Sequence, residues 1–294
     1  MTDARRLNRR QISRALTRIA NAPVTEVLDT IGDSDALPAY RIGITGPPGA
    51  GKSTLISRLA KLRLDQAPDQ KLAVLAIDPS SPISGGSILG DRIRMDAVAD
   101  LRGLYIRSLS SRGARNGLCD NIVDLLTLLE SHGFDEIILE TVGVGQSEIA
   151  VRDVVDTMIV TIPPDAGDTV QTMKSGILEM ADILVVTKAD QPGARRMASD
   201  LSAVLRPRDD WQPPVVSVNT DGTGYSLLNA SIDQHRTLPS KAKHARAAAN
   251  QRRRYHLQAL FDRSIQEVLR SDAEVTKGAL RQSYDRLLAQ LRLV

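Results

Sequence analysis

Residues 43–54 read GITGPPGAGKST, and no other stretch restricts so sharply what this chain can fold into. Gly46, Gly51, Lys52 and Ser53 satisfy the spacing G-x-x-x-x-G-K-[ST], with Pro47, Pro48, Gly49 and Ala50 between the glycines and Thr54 after the serine. The apolar run YRIGIT precedes the motif and an amphipathic stretch follows it, so the sequence predicts strand, tight loop, helix. A glycine-rich backbone can wrap an anion with its N–H groups turned inward. The N-terminus of the following helix adds partial positive charge. In this arrangement Lys52 reaches the β- and γ-phosphates of a bound nucleotide, and Ser53 offers an oxygen to Mg2+.

The rest of the chain agrees with a strand of that kind. From Tyr40 onward, short Val- and Ile-rich runs alternate with longer amphipathic ones: YRIGIT, KLAVLAI, GLYIRSL, EIILET, TMIVTI, ILVVTK and PVVSVN. Near-continuous apolar strands are those of a parallel sheet covered on both faces. Helices are expected in the gaps, among them 52–64, 120–131 and 195–206. The fold class is therefore α/β, a P-loop NTPase with a doubly wound, mostly parallel sheet flanked by helices. Residues 1–39 read as a helical N-terminal extension, 40–238 as the P-loop domain and 239–294 as a helical C-terminal extension. In the last of these Leu257, Leu260, Val268, Leu280, Leu287 and Leu291 form the apolar teeth.

Composition narrows the function classes. A lone cysteine, Cys119, rules out a disulfide within the chain and a thiolate metal cluster, and fits a reducing cytoplasm. No apolar run approaches the roughly 18 residues of a membrane span. The net charge is +3, with arginines gathered in ARRLNRRQISR and QRRRYH. Aromatic residues make up 3% of the chain, too few for base stacking, so these runs read as solvated helix faces and no nucleic acid is expected. The first 23 residues are Arg-rich enough to pass for a transit peptide. A helix with Leu7, Ile12, Leu16 and Ile19 on one side is the preferred reading, since nothing resembling a cleavage site precedes NAPVTEVL.

A phosphate-bound Mg2+ takes hard oxygen ligands. Carboxylates should then stand at the carboxyl ends of strands, where open α/β sheets bind ligands. Asp78 ends LAVLAID, and Glu140 ends EIILE. Gly143, in TVGVGQSE, is a hinge able to sense a γ-phosphate through its N–H. Between Asp78 and Asp91 lies the glycine- and serine-rich stretch PSSPISGGSILG. Asp91 reads either as a metal-shell group that swings over that loop or as the N-cap of DRIRMDAVADL.

The base site is expected at VVTKAD. In T-K-x-D, Asp190 accepts from guanine N1–H and the 2-amino group, while the Lys188 stem covers the ring and Thr187 opens the loop. Adenine would leave that carboxylate unpaired, so GTP is favoured over ATP. Ser217, Val218 and Asn219 stand where a further base-contacting loop belongs.

At this point the chain resembles a known family. GITGPPGAGKSTLI, LAIDPSSPISGGSILGDRIRM, ETVGVGQSE, AGDTVQTMKSGILEMADILVVTKAD and the arginine-rich N-terminal helix are similar to the MeaB/ArgK-type P-loop GTPases, related to the methylmalonic aciduria type A protein. These are chaperones of adenosylcobalamin-dependent acyl-CoA mutases such as methylmalonyl-CoA mutase. The resemblance implies a Mg2+ shell of Ser53, Asp78, Asp91 and Glu140, and a reactive set of Lys52, Glu140 and Lys174. It implies a second switch at 143–148 and a third at 165–174, with Lys174 carrying nucleotide state to the mutase. It also implies a homodimer, and adenosylcobalamin reached only through the partner. Thr187 replaces the usual Asn, Asp165 and Asn116 replace glycines, and the tail after 240 is shorter than the family pattern.

Gln146 lies three residues after Gly143, not beside it, so it is not placed like a water-positioning glutamine. Slow intrinsic hydrolysis, completed when the mutase orders the switches, is the expected mechanism. Three other classes compete. A small-molecule kinase would use ATP, which Asp190 opposes. A nickel-delivery GTPase would need a ligand cluster that four histidines and one cysteine do not supply. A nucleotide-binding interaction protein would release no phosphate. Of the remaining residues, Cys119 reads as a packed thiol, His132 as a helix C-terminal residue, Trp211 as packing at a strand entry, and Tyr225 as core or rim.

Overall fold

All seven Val- and Ile-rich runs become strands: β1 (Tyr40–Thr45), β2 (Leu72–Asp78), β3 (Leu104–Ser110), β4 (Glu136–Thr141), β5 (Thr157–Ile162), β6 (Ile183–Val186) and β7 (Val215–Ser217). The computed structural model describes residues 7–31, 38–78, 95, 98–110, 118–141, 147–166 and 176–291. The strands form one sheet in the order β3-β2-β4-β1-β5-β6-β7, and every pairing is parallel. Strand order reverses at β1. From β1 the chain skips one position to β2, continues outward to β3, returns to insert β4 between β1 and β2, and then crosses to add β5, β6 and β7 on the other side. Such a reversal leaves a crevice at the carboxyl ends of the strands.

Side chains alternate between two apolar layers because successive strand residues face opposite sides. Ile42, Ile44, Val74, Ile138, Ile159 and Val185 face one layer, filled by α3 (Lys52–Gln66) and, beyond β7, α8 (Tyr225–Arg236). Leu75, Ile77, Leu139, Val160 and Val186 face the other. That second layer holds α1 (Arg9–Asn21), α2 (Val24–Ile31), α4 (Ile122–Ser131) and α5 (Ser147–Val154), with the short α6 (Ile177–Met180) and then α7 (Ala194–Val204). The helix expected to run to 206 stops at Val204, because Leu205 is already extended ahead of Pro207. The one expected from 120 starts at Ile122.

In α1, Ile12, Leu16 and Ile19 are buried as the spacing foretold, and Asn8 caps the helix by accepting from Gln11 N–H. Burying three such side chains contributes on the order of 1.5–3 kcal/mol each. Past α8 the chain forms α9 (Pro239–Ser271), a 3-10 turn (Ala273–Thr276) and α10 (Leu280–Leu291). The α9 helix lies across α5, α4 and α2. Gln251 Nε2 donates to Asp153 Oδ1 at 3.3 Å, His256 pairs with Asp124 at 2.6 Å, and Glu267 accepts from Val24 N–H at 3.1 Å. Arg252 pairs with Asp156, and Arg263 with Asp124. Of the six apolar teeth expected here, only Leu260 and Val268 are buried, while Leu257 is 58% and Leu280 87% exposed. A single helix laid on a domain covers one narrow stripe, and α10 buries no residue at all. Among the described residues no helix is long and apolar enough to cross a membrane.

The amino ends of the strands are held by buried charge. Arg63 donates to Glu136 Oε2 at 2.7 Å, to Asn229 Oδ1 at 2.6 Å and to Asp233 Oδ1 at 3.0 Å. Asp182, just before β6, pairs with Arg152, Arg208 and His235 and accepts from Met158 N–H. Burial alone would raise the Asp182 pKa, but the hydrogen bond to His235 and the charges of Arg152, His235 and Lys241 hold it well below the usual carboxylate range. Burial pushes His235 down from its ordinary 6.5, against the opposing pull of Asp182. Both shifts act in one direction. A histidine depressed on folding loses stability as pH falls below its unfolded value, and a depressed carboxylate loses it lower still. Thermal midpoints should therefore fall progressively from pH 6.5 downward, and His235→Gln, without the imidazole's titration, should flatten the upper part of that decline.

Candidate functional site

The phosphate loop sits where strand order reverses. Gly46 leaves β1 with φ +149°, and a Cβ there would meet Thr161 Oγ1 at 2.2 Å and Thr161 O at 2.3 Å, so only glycine lets the loop pass β5. The loop continues through Pro47, Pro48, Gly49 and Ala50, and Ala50 N–H closes a turn on Pro47 O at 3.2 Å. Gly51 is left-handed at φ +77° and leads into α3, whose first residues are Lys52, Ser53 and Thr54. A helix makes no internal bonds with the N–H groups of its first turn, and here that turn follows directly on the loop. Lys52 is 7% exposed, and its Nζ donates to Gly46 O at 2.8 Å and Pro47 O at 3.1 Å. The ammonium is thus held across the mouth of its own loop.

Register brings the acidic strand end alongside. On β4, Glu140 pairs with Ile44 of β1 on one side and Ala76 of β2 on the other. Ser53 Oγ donates to Glu140 Oε1 at 3.0 Å, and both residues are buried. A hydroxyl and a carboxylate this close, both oxygen donors at the loop's edge, suit Mg2+ and suit no soft metal. Among the described residues no group of three or more His, Cys, Asp or Glu gathers as a metal cage. Asp78 ends β2, one strand beyond β4, though its side chain lies outside the described residues. Asp91, Gly143 and Lys174 also lie outside them.

The base loops stand on the other side of the phosphate loop. Thr187 follows β6, is buried, and lies with its Cβ 3.9 Å from where a Cβ on Gly51 would be. Lys188 adopts a left-handed backbone at φ +50°, which turns the chain sharply so that Asp190 stands exposed at the rim. Ser217, Val218 and Asn219 leave β7 beside it, and Ala189 N–H donates to Val218 O at 3.1 Å, tying the two loops. The structure therefore brings together the phosphate loop, Ser53, Glu140, Thr187, Lys188, Asp190 and the 217–219 segment at one edge.

Three residues escaped the sequence reading. Thr45, Thr141 and Thr161 lie at or near the carboxyl ends of β1, β4 and β5, all with no exposed surface. Thr161 Oγ1 donates to Thr45 O at 3.0 Å, bracing the start of the phosphate loop. Thr45 Oγ1 and Thr141 Oγ1 have no hydrogen-bond partner among the described residues. In a strand a threonine reads as a β-branched filler, so only the register reveals hydroxyls gathered near the carboxyl ends of the strands. The smaller expectations are met in part. Cys119 and Trp211 are buried, His132 caps α4, and Tyr225 is core, with Arg58 over its ring.

A phosphate loop at the reversal point of a parallel sheet, with an acidic neighbouring strand, defines a P-loop NTPase. A family model described as "Methylmalonyl Co-A mutase-associated GTPase MeaB" matches residues 12–274, and the chain belongs to that family. It is 44% identical over 211 residues to the mouse (Mus musculus) "Methylmalonic aciduria type A homolog, mitochondrial", covering 68% of this chain and 50% of that one. It is 40% identical over 195 residues to "GTPase ArgK" of Escherichia coli, covering 62% of this chain and 58% of that one. The chain thus matches less than two thirds of the length of these curated relatives. A solved structure titled "Crystal structure of LAO/AO transport system kinase" superposes with a TM-score of 0.64 at 26% identity, over 98% of this chain and 95% of that one.

Proposed function

We propose that this chain binds GTP at the phosphate and base loops, hydrolyses it slowly, and uses the bound state to control an adenosylcobalamin-dependent acyl-CoA mutase. Ser53 and Glu140 would hold Mg2+, which would neutralise developing charge on the phosphates. Lys52 would move from its loop carbonyls toward the β- and γ-phosphates. Asp190 would select guanine and Lys188 would cover the ring. Asp78, Asp91 and Gly143 would respond to the terminal phosphate, and Lys174 would report the change. Cobalamin would reside in the partner, whose loading and reactivation the nucleotide would gate. A homodimer and a cytoplasmic setting complete the reading.

The observation that carries it is the match of residues 12–274 to a mutase-associated GTPase family, joined to a base loop ending in Asp190. The test is single-turnover phosphate release from GTP, with and without methylmalonyl-CoA mutase. A rate raised at least about 10-fold by the mutase is expected, the increment that lowering the barrier by about 1.4 kcal/mol gives. Equal rates would remove the partner from the mechanism, and no release at all would leave a binding module. The kinase reading predicts instead that ATP is consumed only when a small acceptor is added.

A further inference from the structure

Thr45 and Thr141 are the last residues of β1 and β4. Register pairs Ile44 with Glu140, so one step further along the strands Thr45 stands beside Thr141. Neighbouring strands run about 4.8 Å apart, and paired residues point their side chains to the same face. Gly43, two residues before Thr45, identifies that face. A Cβ there would meet Val151 Cγ1 at 2.6 Å and Val155 Cγ1 at 3.2 Å, so it is the side packed by α5. Ser53 and Glu140 meet on the other side, toward α3.

Both threonines have no exposed surface, and neither hydroxyl has a hydrogen-bond partner among the described residues. Other threonines are satisfied: Thr17 Oγ1 donates to Ser13 O at 2.8 Å, Thr30 Oγ1 to Glu26 O at 2.7 Å and Thr161 Oγ1 to Thr45 O at 3.0 Å. A buried hydroxyl left unmet costs its full desolvation penalty, and valine would fill the same space without it. Two such costs side by side, at the strand ends next to the phosphate loop, point to a group that both hydroxyls meet.

Water fits by size and by valence. It brings two protons and two lone pairs, and each threonine hydroxyl can donate one bond and accept others. The position agrees. Gly46, the first residue of the phosphate loop, follows Thr45 directly. On the reading above, the β- and γ-phosphates lie by Lys52, whose Nζ is 2.8 Å from Gly46 O and 3.1 Å from Pro47 O. With Ser53 and Glu140 on the α3 side, the α5 side of the β1–β4 pair is left for the nucleophile. The sequence places no glutamine for this task, since Gln146 does not adjoin Gly143. We propose that Thr45 and Thr141 are positioning residues for hydrolysis, their hydroxyls holding the attacking water in line with the bond to be broken. The water oxygen bonds to the γ-phosphorus, and the bond from that phosphorus to the β–γ bridging oxygen breaks. Its electron pair leaves with GDP, and the water's proton passes to a γ-phosphate oxygen. The threonines orient the water and take no proton themselves.

The inference rests on the GTP hydrolysis proposed above, and the experiment separates the two. Single-turnover phosphate release from GTP is followed for the full chain and for Thr45→Val, Thr141→Val and Thr141→Ser. Calorimetry gives their GTP and GDP dissociation constants, and thermal unfolding their nucleotide-free midpoints. Each valine variant should hydrolyse about 10- to 100-fold more slowly, the loss that follows from a misplaced nucleophile, while both dissociation constants stay within about 2-fold of wild type. Its midpoint should equal or exceed that of wild type, since valine buries no unmet hydroxyl. Thr141→Ser, which keeps the hydroxyl and loses a buried methyl, should melt lower yet hydrolyse within about 3-fold of wild type. A purely structural role predicts that rate follows stability, whereas here the two part in both kinds of variant. Valine variants that hydrolyse like wild type, or a serine variant as slow as the valine ones, overturn the proposal. If one valine variant folds poorly, the other reads the same result. A wild-type chain that binds GTP but releases no phosphate would instead bring down the hydrolysis reading and this one with it.

Discussion

Lys52→Ala should abolish measurable binding of guanine nucleotides while leaving the fold in place. The ammonium is nearly enclosed, 7% exposed, and is held by Gly46 O at 2.8 Å and Pro47 O at 3.1 Å. It is the one side-chain cation of the loop motif. A charge-assisted hydrogen bond contributes about 1.5–3 kcal/mol, and a low-dielectric site strengthens attraction to a phosphate further. Two such bonds to β- and γ-oxygens place the expected loss at 100-fold or more, about 3 kcal/mol or above. The competing explanation is collapse of the loop, since alanine also removes two bonds to its carbonyls. Thermal unfolding separates these: the loop stays fixed by Gly46 against Thr161 and by Ala50 N–H on Pro47 O, so the midpoint should change little. Affinity for GTP within 10-fold of wild type would overturn the phosphate-loop assignment.

Asp190→Asn should lower GTP affinity by at least 100-fold and raise affinity for XTP. The carboxylate accepts from two adjacent donors on guanine. An asparagine in its place keeps one acceptor for N1–H and turns the other atom into a donor, which faces the 2-amino group unpaired. Xanthine carries a carbonyl at that position, so the exchanged donor finds a partner again. Asp190 is exposed, and its substitution disturbs no buried network, so the variant should melt with wild type. Competition between GTP and XTP for the wild-type and variant chains reads the result directly. A variant that weakens both nucleotides equally would show that the loop, not the carboxylate, had been damaged.

The strands were legible because parallel strands buried on both faces carry near-continuous Val and Ile runs, and most such runs here were bounded by Gly, Pro or Asp. Lys52, Ser53 and Glu140 were legible because phosphate chemistry ties residue type to spacing and to strand ends. The amino-end network was not. Arg63 finds its partners 73, 166 and 170 residues away, and each of those residues alone looks like an ordinary polar surface group. Thr45, Thr141 and Thr161 hid for a different reason, since register, not sequence, brings their hydroxyls to one edge. Leu257 and Leu280 were misplaced because helical periodicity gives the direction of an apolar stripe but not whether a neighbour covers it.

The sheet has two unlike ends. Nucleotide chemistry gathers where the strands finish, whereas Arg63, Glu136, Asp182 and His235 are clasped where they begin. A lineage can consequently tune heat tolerance at one pole without altering the phosphate loop at the other. Temperature-sensitive alleles belong to the first pole and nucleotide-blind alleles to the second, with few positions able to produce both.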